Sequence, residues 1–170
     1  MVEAHIAWLN RQIAQLEREI DDHIDSHPVL KHDAELIRSI PGSGPKFAAQ
    51  FLAYIGDARR FKSAKALAAF IGVTPRQRLS GSSVRGRTML SRTGHAHARR
   101  ALYMPGLVAK RHNPVIVALA RRLEQRGLAP KAIVGASMQK LVHLIYGVLT
   151  SNLMFDASIP MRELAIQDGI

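Results

Sequence analysis

Between Gly72 and Arg100 the chain carries seven arginines and no carboxylate. Guanidinium groups present a planar fork of donors that matches phosphate oxygens, so arginines without acidic partners suit a row of phosphates. The hydroxyls of Ser80, Ser82 and Ser83 add short donors to the same stretch. Gly81, Gly86 and Gly94 interrupt any helical period there. The expectation is a long polar loop or a small β-hairpin between two helical segments. A loop of that length inside a compact domain is usually functional or disordered, and a solvated loop is the plainer alternative. By local chemistry alone Ser80, beside Gly81, reads as a turn-forming serine. His95 and His97 are the nearby bases, and lone loop histidines are commonly just surface residues.

Charge along the chain sharpens this reading. Residues 1–57 hold five Lys and Arg against nine Asp and Glu, a net of −4. Residues 58–123 hold fifteen Lys and Arg and no acid, and the remaining residues hold four of each sign. All of the +11 excess therefore originates in one middle segment, the electrostatic footprint of a polyanion partner. A membrane surface would call for a basic amphipathic helix with Trp or Phe on its apolar face. Here the arginines sit among Gly and Ser, and the single tryptophan, Trp8, is far away. Nucleic acid is expected as the partner, and a membrane is not.

The elements that must position this segment read as helices. At 170 residues the prior is one domain with an appendage, and 47% hydrophobic with 5% aromatic residues favours an Ala/Leu/Ile-packed helical core. No cysteine occurs, which excludes disulfides and thiolate metal sites and permits a reducing compartment. The N-terminus shows no secretory signal, and no uninterrupted apolar run reaches the roughly 18 residues needed to span a bilayer. The expected location is the cytoplasm.

Val2, Ile6, Leu9, Ile13, Leu16 and Ile20 follow alternating spacings of four and three, the seam of a coiled coil. That seam either pairs with another chain or a further domain, or packs on its own core. The apolar spacing predicts helices near 3–24, 29–39, 45–56, 63–71, 95–112, 114–126 and 131–149. The last is apolar almost all round beyond Lys140 and is expected to be the buried spine. Two of these helices flank Ile40-Pro-Gly-Ser-Gly-Pro45, a Gly-x-Gly turn similar to that of a helix-hairpin-helix. In such a motif the turn amides and a helix N-terminus face a phosphate. An ordinary αα-hairpin has the same outline. The fold class expected is all-α: a coiled-coil-like N-terminal helix, then a helix-hairpin-helix-containing domain with a long basic loop or small β-hairpin. The arm would cover residues 1–28, the domain 29–156 and a tail 157–170.

From Leu36 to about Asp156 the sequence resembles the C-terminal transposase domain of the IS-one-ten (Piv-like) family of insertion-sequence recombinases, which are guided by a bridge RNA. The turn above matches, as do Arg60-Phe61-Lys62-Ser63-Ala64 and Gly72-Val-Thr-Pro75. Further matches are Ser80-Gly-Ser-Ser-Val-Arg-Gly-Arg87, Leu90-Ser-Arg-Thr-Gly94, Arg99-Arg-Ala-Leu102 and Arg111-His-Asn-Pro114. Each is weak alone; their order and spacing together are specific. The chain departs from the family pattern at Arg92, where lysine is common, at His95, where asparagine is usual, and at Ala98, often leucine.

The resemblance implies a two-part enzyme. A RuvC-like domain, missing here, would hold a divalent metal, magnesium by expectation, on four carboxylates. This chain is then expected to be an engineered fragment or the product of a truncated gene, to need that domain for full activity, and itself to carry no cofactor. The resemblance makes Ser80 the nucleophile for DNA strand cleavage and exchange, with Arg85, Arg87 and Arg92 neutralising the developing phosphorane charge. Contacts to DNA are expected from Gly42, Gly44, Lys46, Arg59, Arg60, Lys62, Arg76, Arg78, Gly81, Arg99 and Arg100. Expected partners are DNA, a guide RNA and a second copy of the chain through residues 2–24. The alternative from another class is a non-catalytic helix-hairpin-helix module that binds DNA or RNA.

Overall fold

The computed structural model describes residues 1–76, 79–80, 84–85, 89–91 and 93–158. Apart from four two-residue strands, the regular structure of the described residues is helical, as the apolar spacing predicts. The helices are α1 (Val2–Asp25), α2 (Pro28–Arg38), α3 (Pro45–Ile55), α4 (Ala64–Ile71), α5 (Ala96–Ala101), α6 (Tyr103–His112), α7 (Pro114–Gln125) and α8 (Pro130–Ser151), with a 3-10 turn at Ala58–Arg60. Proline opens α2, α3, α7 and α8, where its missing N–H costs nothing and its fixed φ suits the first turn.

The spine is α8. Ile133, Leu141, Val142, Ile145 and Leu149 are all at most 1% exposed, and α2, α4, α6, α7 and the 3-10 turn pack around them. Full burial of each such side chain contributes about 1.5–3 kcal/mol. Among the described helices α8 is long and apolar enough to cross a bilayer, yet more than half of that stretch is buried inside this fold.

The single helix expected over 95–112 is two. Pro105 lacks the N–H that would bond to the carbonyl of Ala101, and α5 ends there; Leu102, fully buried, joins the two pieces. The turn between α2 and α3 is pinned from behind by the next junction. Asn113, buried, accepts from the amides of Val115 and Ile116 at 3.1 and 3.3 Å, capping α7. Its Nδ2 reaches the Pro41 carbonyl at 3.5 Å. Beside it Gly42 adopts φ +103°, and a Cβ there would lie 2.7 Å from that of Ala109 on α6. Only glycine meets both conditions.

In α1 no residue is buried, and every residue of its apolar seam is more than two-fifths exposed. Ile24 at its end packs against the core, and Lys46 of α3 forms an ion pair with Glu17. The helix thus projects from the body rather than lying on it.

A buried carboxylate fixes the link before α4. Asp33 of α2, 5% exposed, receives both arms of Arg59, Nη1 to Oδ2 at 2.8 Å and Nη2 to Oδ1 at 2.7 Å. Removing one partner strands the other's charge. Arg59→Ala should therefore lower stability by about 2–4 kcal/mol, and Arg59→Lys should recover only part, because an ammonium cannot bridge both oxygens. Arg60→Ala should stay within about 0.5 kcal/mol. Urea denaturation followed by circular dichroism checks all three.

Candidate nucleic-acid interface

The basic segment leaves the helical body through a tight clasp. Ser63 caps α4, its Oγ accepting from the Ala66 amide at 3.1 Å. Gly72 closes α4 in the left-handed conformation, its amide bonding to Ala68. Opposite it, Gly94 at φ +143° lies so close to Phe70 that a Cβ would run into that residue's carbonyl. Three bonds tie the two sides. The His95 amide donates to the Phe70 carbonyl at 2.9 Å, the Ser91 amide to Thr74 at 2.9 Å, and Arg99 Nη1 to the Ile71 carbonyl at 3.1 Å.

From this clasp the chain runs out and back. Pro75–Arg76 (β1) pairs antiparallel with Met89–Leu90 (β4), and Leu79–Ser80 (β2) with Val84–Arg85 (β3). The pairings are nested, so the described strand residues form an antiparallel ribbon, the β-hairpin alternative of the expectation. Its innermost described pair is Ser80 with Val84. Arg76, Ser80 and Arg85 are thus strand residues, whereas Arg78, Gly81, Arg87 and Arg92 lie outside the described residues.

The remaining candidates occupy different environments. Arg59 is committed to Asp33 and also reaches Asp57 at 3.4 Å. Hydrogen bonding to Asp33 is the main reason its pKa is raised above the ordinary guanidinium value. Lys46 pairs with Glu17, and Arg99 is a half-buried element of the clasp. Gly42 is pressed against α6, while Gly44 is exposed at the start of α3, where no side chain caps the helix. Arg60, Lys62 and Arg100 are exposed. Arg100 and Lys131 rim a cleft of about 350 Å³ beside β4, floored by Leu90, Val134 and Met138.

His95 has a structural duty. Its Nδ1 accepts from the Ala98 amide at 3.1 Å, capping α5. Asparagine, usual at this position in the resembled family, is a good helix cap for the same reason, so the departure keeps the function. Among the described residues no group of three His, Asp or Glu side chains comes together as metal ligands.

Planar side chains from four elements, α3, the 3-10 turn, α4 and the start of α5, meet beside the clasp. Arg60 stacks over Phe61, Phe61 meets Phe70, and Phe70, His95 and Tyr54 follow within 6.1 Å of one another in turn. Their spacing of up to 41 residues leaves no local pattern in the sequence.

Residues 34–121 match the model of the family described as Transposase IS116/IS110/IS902. Over 148 residues the chain is 36% identical to a pilin gene-inverting protein of Moraxella bovis, covering 86% of this chain and 46% of that protein. It is 34% identical over 125 residues to the transposase for insertion sequence element IS1111A of Coxiella burnetii, covering 69% and 33% respectively. A 43.6 kDa protein of insertion element IS110 in Streptomyces coelicolor is 23% identical over 152 residues, covering 89% of this chain and 36% of its own length. The chain thus spans less than half the length of each of these relatives. The matched segment runs from α2 through the clasp and ribbon into α7, and by it the chain belongs to the IS116/IS110/IS902 transposase family.

Proposed function

We propose that this chain is the serine-bearing part of a DNA recombinase: it grips DNA backbone and supplies Ser80 as the nucleophile for strand cleavage and exchange. The observation that carries the reading is the ribbon itself. It rises from a backbone-bonded clasp within a segment of fifteen Lys and Arg and no acid, with Ser80 in its innermost described pair. Two relatives act, by their names, in gene inversion and in insertion-sequence transposition.

The chemistry follows from the groups. Ser80 Oγ attacks a backbone phosphorus and gives up its proton. The bond from phosphorus to O3′ breaks, that oxygen takes a proton as a free 3′-hydroxyl, and the phosphoserine link conserves the bond for rejoining. Arg85, Arg87 and Arg92 would stabilise the charge that builds on the non-bridging oxygens. Arg60, Lys62, Arg76, Arg78 and Arg100 would hold flanking phosphates, and Arg59 would serve the fold. The exposed, uncapped start of α3 at Gly44 supports a helix-hairpin-helix contact to phosphate. A RuvC-like domain on the same polypeptide or a partner would hold magnesium; the described residues of this chain offer no ligand cluster for it. A guide RNA, a cytoplasmic location, and the division into arm (1–28), domain (29–156) and tail (157–170) complete the proposal.

Binding to duplex DNA should weaken steeply with salt. If roughly six phosphates are neutralised, log K should fall with a slope of about −5 against log salt. Titration by fluorescence anisotropy measures it, and an affinity indifferent to salt would rule out the phosphate reading.

Supplied with the RuvC-like partner, Ser80→Ala should abolish the covalent protein–DNA adduct on a nicked suicide substrate. Its DNA affinity should change by only about 1 kcal/mol, the worth of one hydroxyl contact. An adduct that survives Ser80→Ala but is lost in Ser82→Ala or Ser83→Ala would move the nucleophile. No adduct in any protein, with DNA binding intact, would leave the non-catalytic module.

The exposed seam of α1 is proposed to pair with a second copy. Ile13→Asp puts a charge into that apolar contact and should convert the assembly to monomer in sedimentation velocity. A wild-type chain that is already monomeric at high concentration would count against it.

A further inference from the structure

Large aromatic side chains scattered singly on a surface need no explanation, but here they are contiguous. Phe61 and Phe70 have ring centroids 5.2 Å apart, Phe70 and His95 6.1 Å, His95 and Tyr54 5.5 Å, and Tyr54 and His97 6.1 Å. The Arg60 guanidinium closes one end, 5.0 Å from the Phe61 ring centre and 5.8 Å from that of Phe70. Tyr54 and Phe70 are 38% and 39% exposed, while Phe61 packs partly on the core and His95 is half-buried, so the row presents the rings of Tyr54 and Phe70 to solvent, tilted 38° and 32° to that of His95 between them. It is also held in place. Tyr146 of α8 donates to the Phe61 carbonyl at 2.9 Å, and His95 is fixed both by its amide bond to Phe70 and by its capping of α5.

We propose that this row is a stacking platform for unpaired bases of single-stranded DNA. Flat apolar faces recognise flat partners, and the faces of bases are accessible only where a strand has left its duplex. Charge selects the class of partner. Phe61, Phe70, His95 and His97 lie within the stretch that has no acidic residue, the nearby Asp57 is engaged by Arg59 at 3.4 Å, and the exposed cations Arg60 and Lys62 flank Phe61 in sequence, where they can meet the strand's phosphates. A protein surface would gain little from that unbalanced charge. The inference rests on the DNA-recombinase reading above and deepens it. Strand exchange detaches a strand from its complement, and the platform adjoins the clasp from which the ribbon rises. Bases stacked here would hold the freed strand close to the ribbon until it is rejoined.

The test uses the whole chain with Trp8→Phe as background, so that Phe70→Trp becomes its sole indole. Oligothymidylate should quench that fluorescence by direct stacking, whereas a duplex of equal phosphate number should not. Phe70→Ala and Tyr54→Ala should each weaken oligothymidylate binding about tenfold and change duplex binding by less than twofold, with Tyr54→Phe close to wild type. Quenching by duplex as strong as by the single strand would overturn the proposal, as would equal losses on both substrates. Stronger quenching by oligouridylate than by oligothymidylate would overturn its assignment to DNA. If quenching is absent but salt-sensitive duplex binding persists, the platform fails and the recombinase reading stands. If neither nucleic acid binds, both fail.

Discussion

A helix that is apolar on nearly every side has to be surrounded, and α8 imposes that demand on the whole chain. Its buried residues include Leu141, Val142, Ile145 and Leu149, which leave little of the helix for water. Four helices are arranged as its jacket, and each contributes one apolar stripe. Of the described basic residues of the middle segment, Arg60, Lys62, Lys65, Arg100 and Arg111 fall on the outside, since burying an unpaired guanidinium or ammonium would cost more than any packing it offered.

Within that jacket a few polar contacts set orientation where apolar packing is indifferent. Asn113 links the α6–α7 junction to the turn between α2 and α3, so two family motifs distant in sequence form one joint. Asp33 captures Arg59 and thereby aligns the 3-10 turn with α2. Such a contact removes an arginine from the pool available to a ligand. It also presents its neighbour Arg60, which lies over the Phe61 ring instead. Two adjacent arginines thus take opposite roles because only one of them can reach a buried carboxylate.

The clasp does comparable work for the ribbon. Gly72 and Gly94 let two backbone segments approach more closely than any side chain would allow, and the bonds to Phe70, Ile71 and Thr74 lock that approach. An isolated two-stranded hairpin is at best marginally stable in water. Anchoring both ends on α4 and α5 lowers the entropy of closing it. The projecting α1 is the opposite case. Ile24 at its end packs on the core and Glu17 pairs with Lys46, while the apolar seam stays exposed along the helix.

Much of this was legible in the amino-acid order. Periodicity located the helices, and the apolar run after Lys140 identified the spine. The absence of acids over 58–123 singled out the basic segment, and the ordered motifs pointed to the family. All of these are local or cumulative signals. The break at Pro105 was local too, but a strong helical pattern on either side of it masked the missing hydrogen bond. What only the tertiary structure decided is which like residues do unlike things. Arg59 and Arg60, or Gly42 and Gly44, are indistinguishable by type and spacing; one of each pair is used by the fold because a partner from another element, Asp33 or Ala109, stands against it. The aromatic row was equally hidden, since Tyr54, Phe70 and His95 come from three elements whose adjacency depends on how they pack around α8, a long-range property that no window of sequence contains.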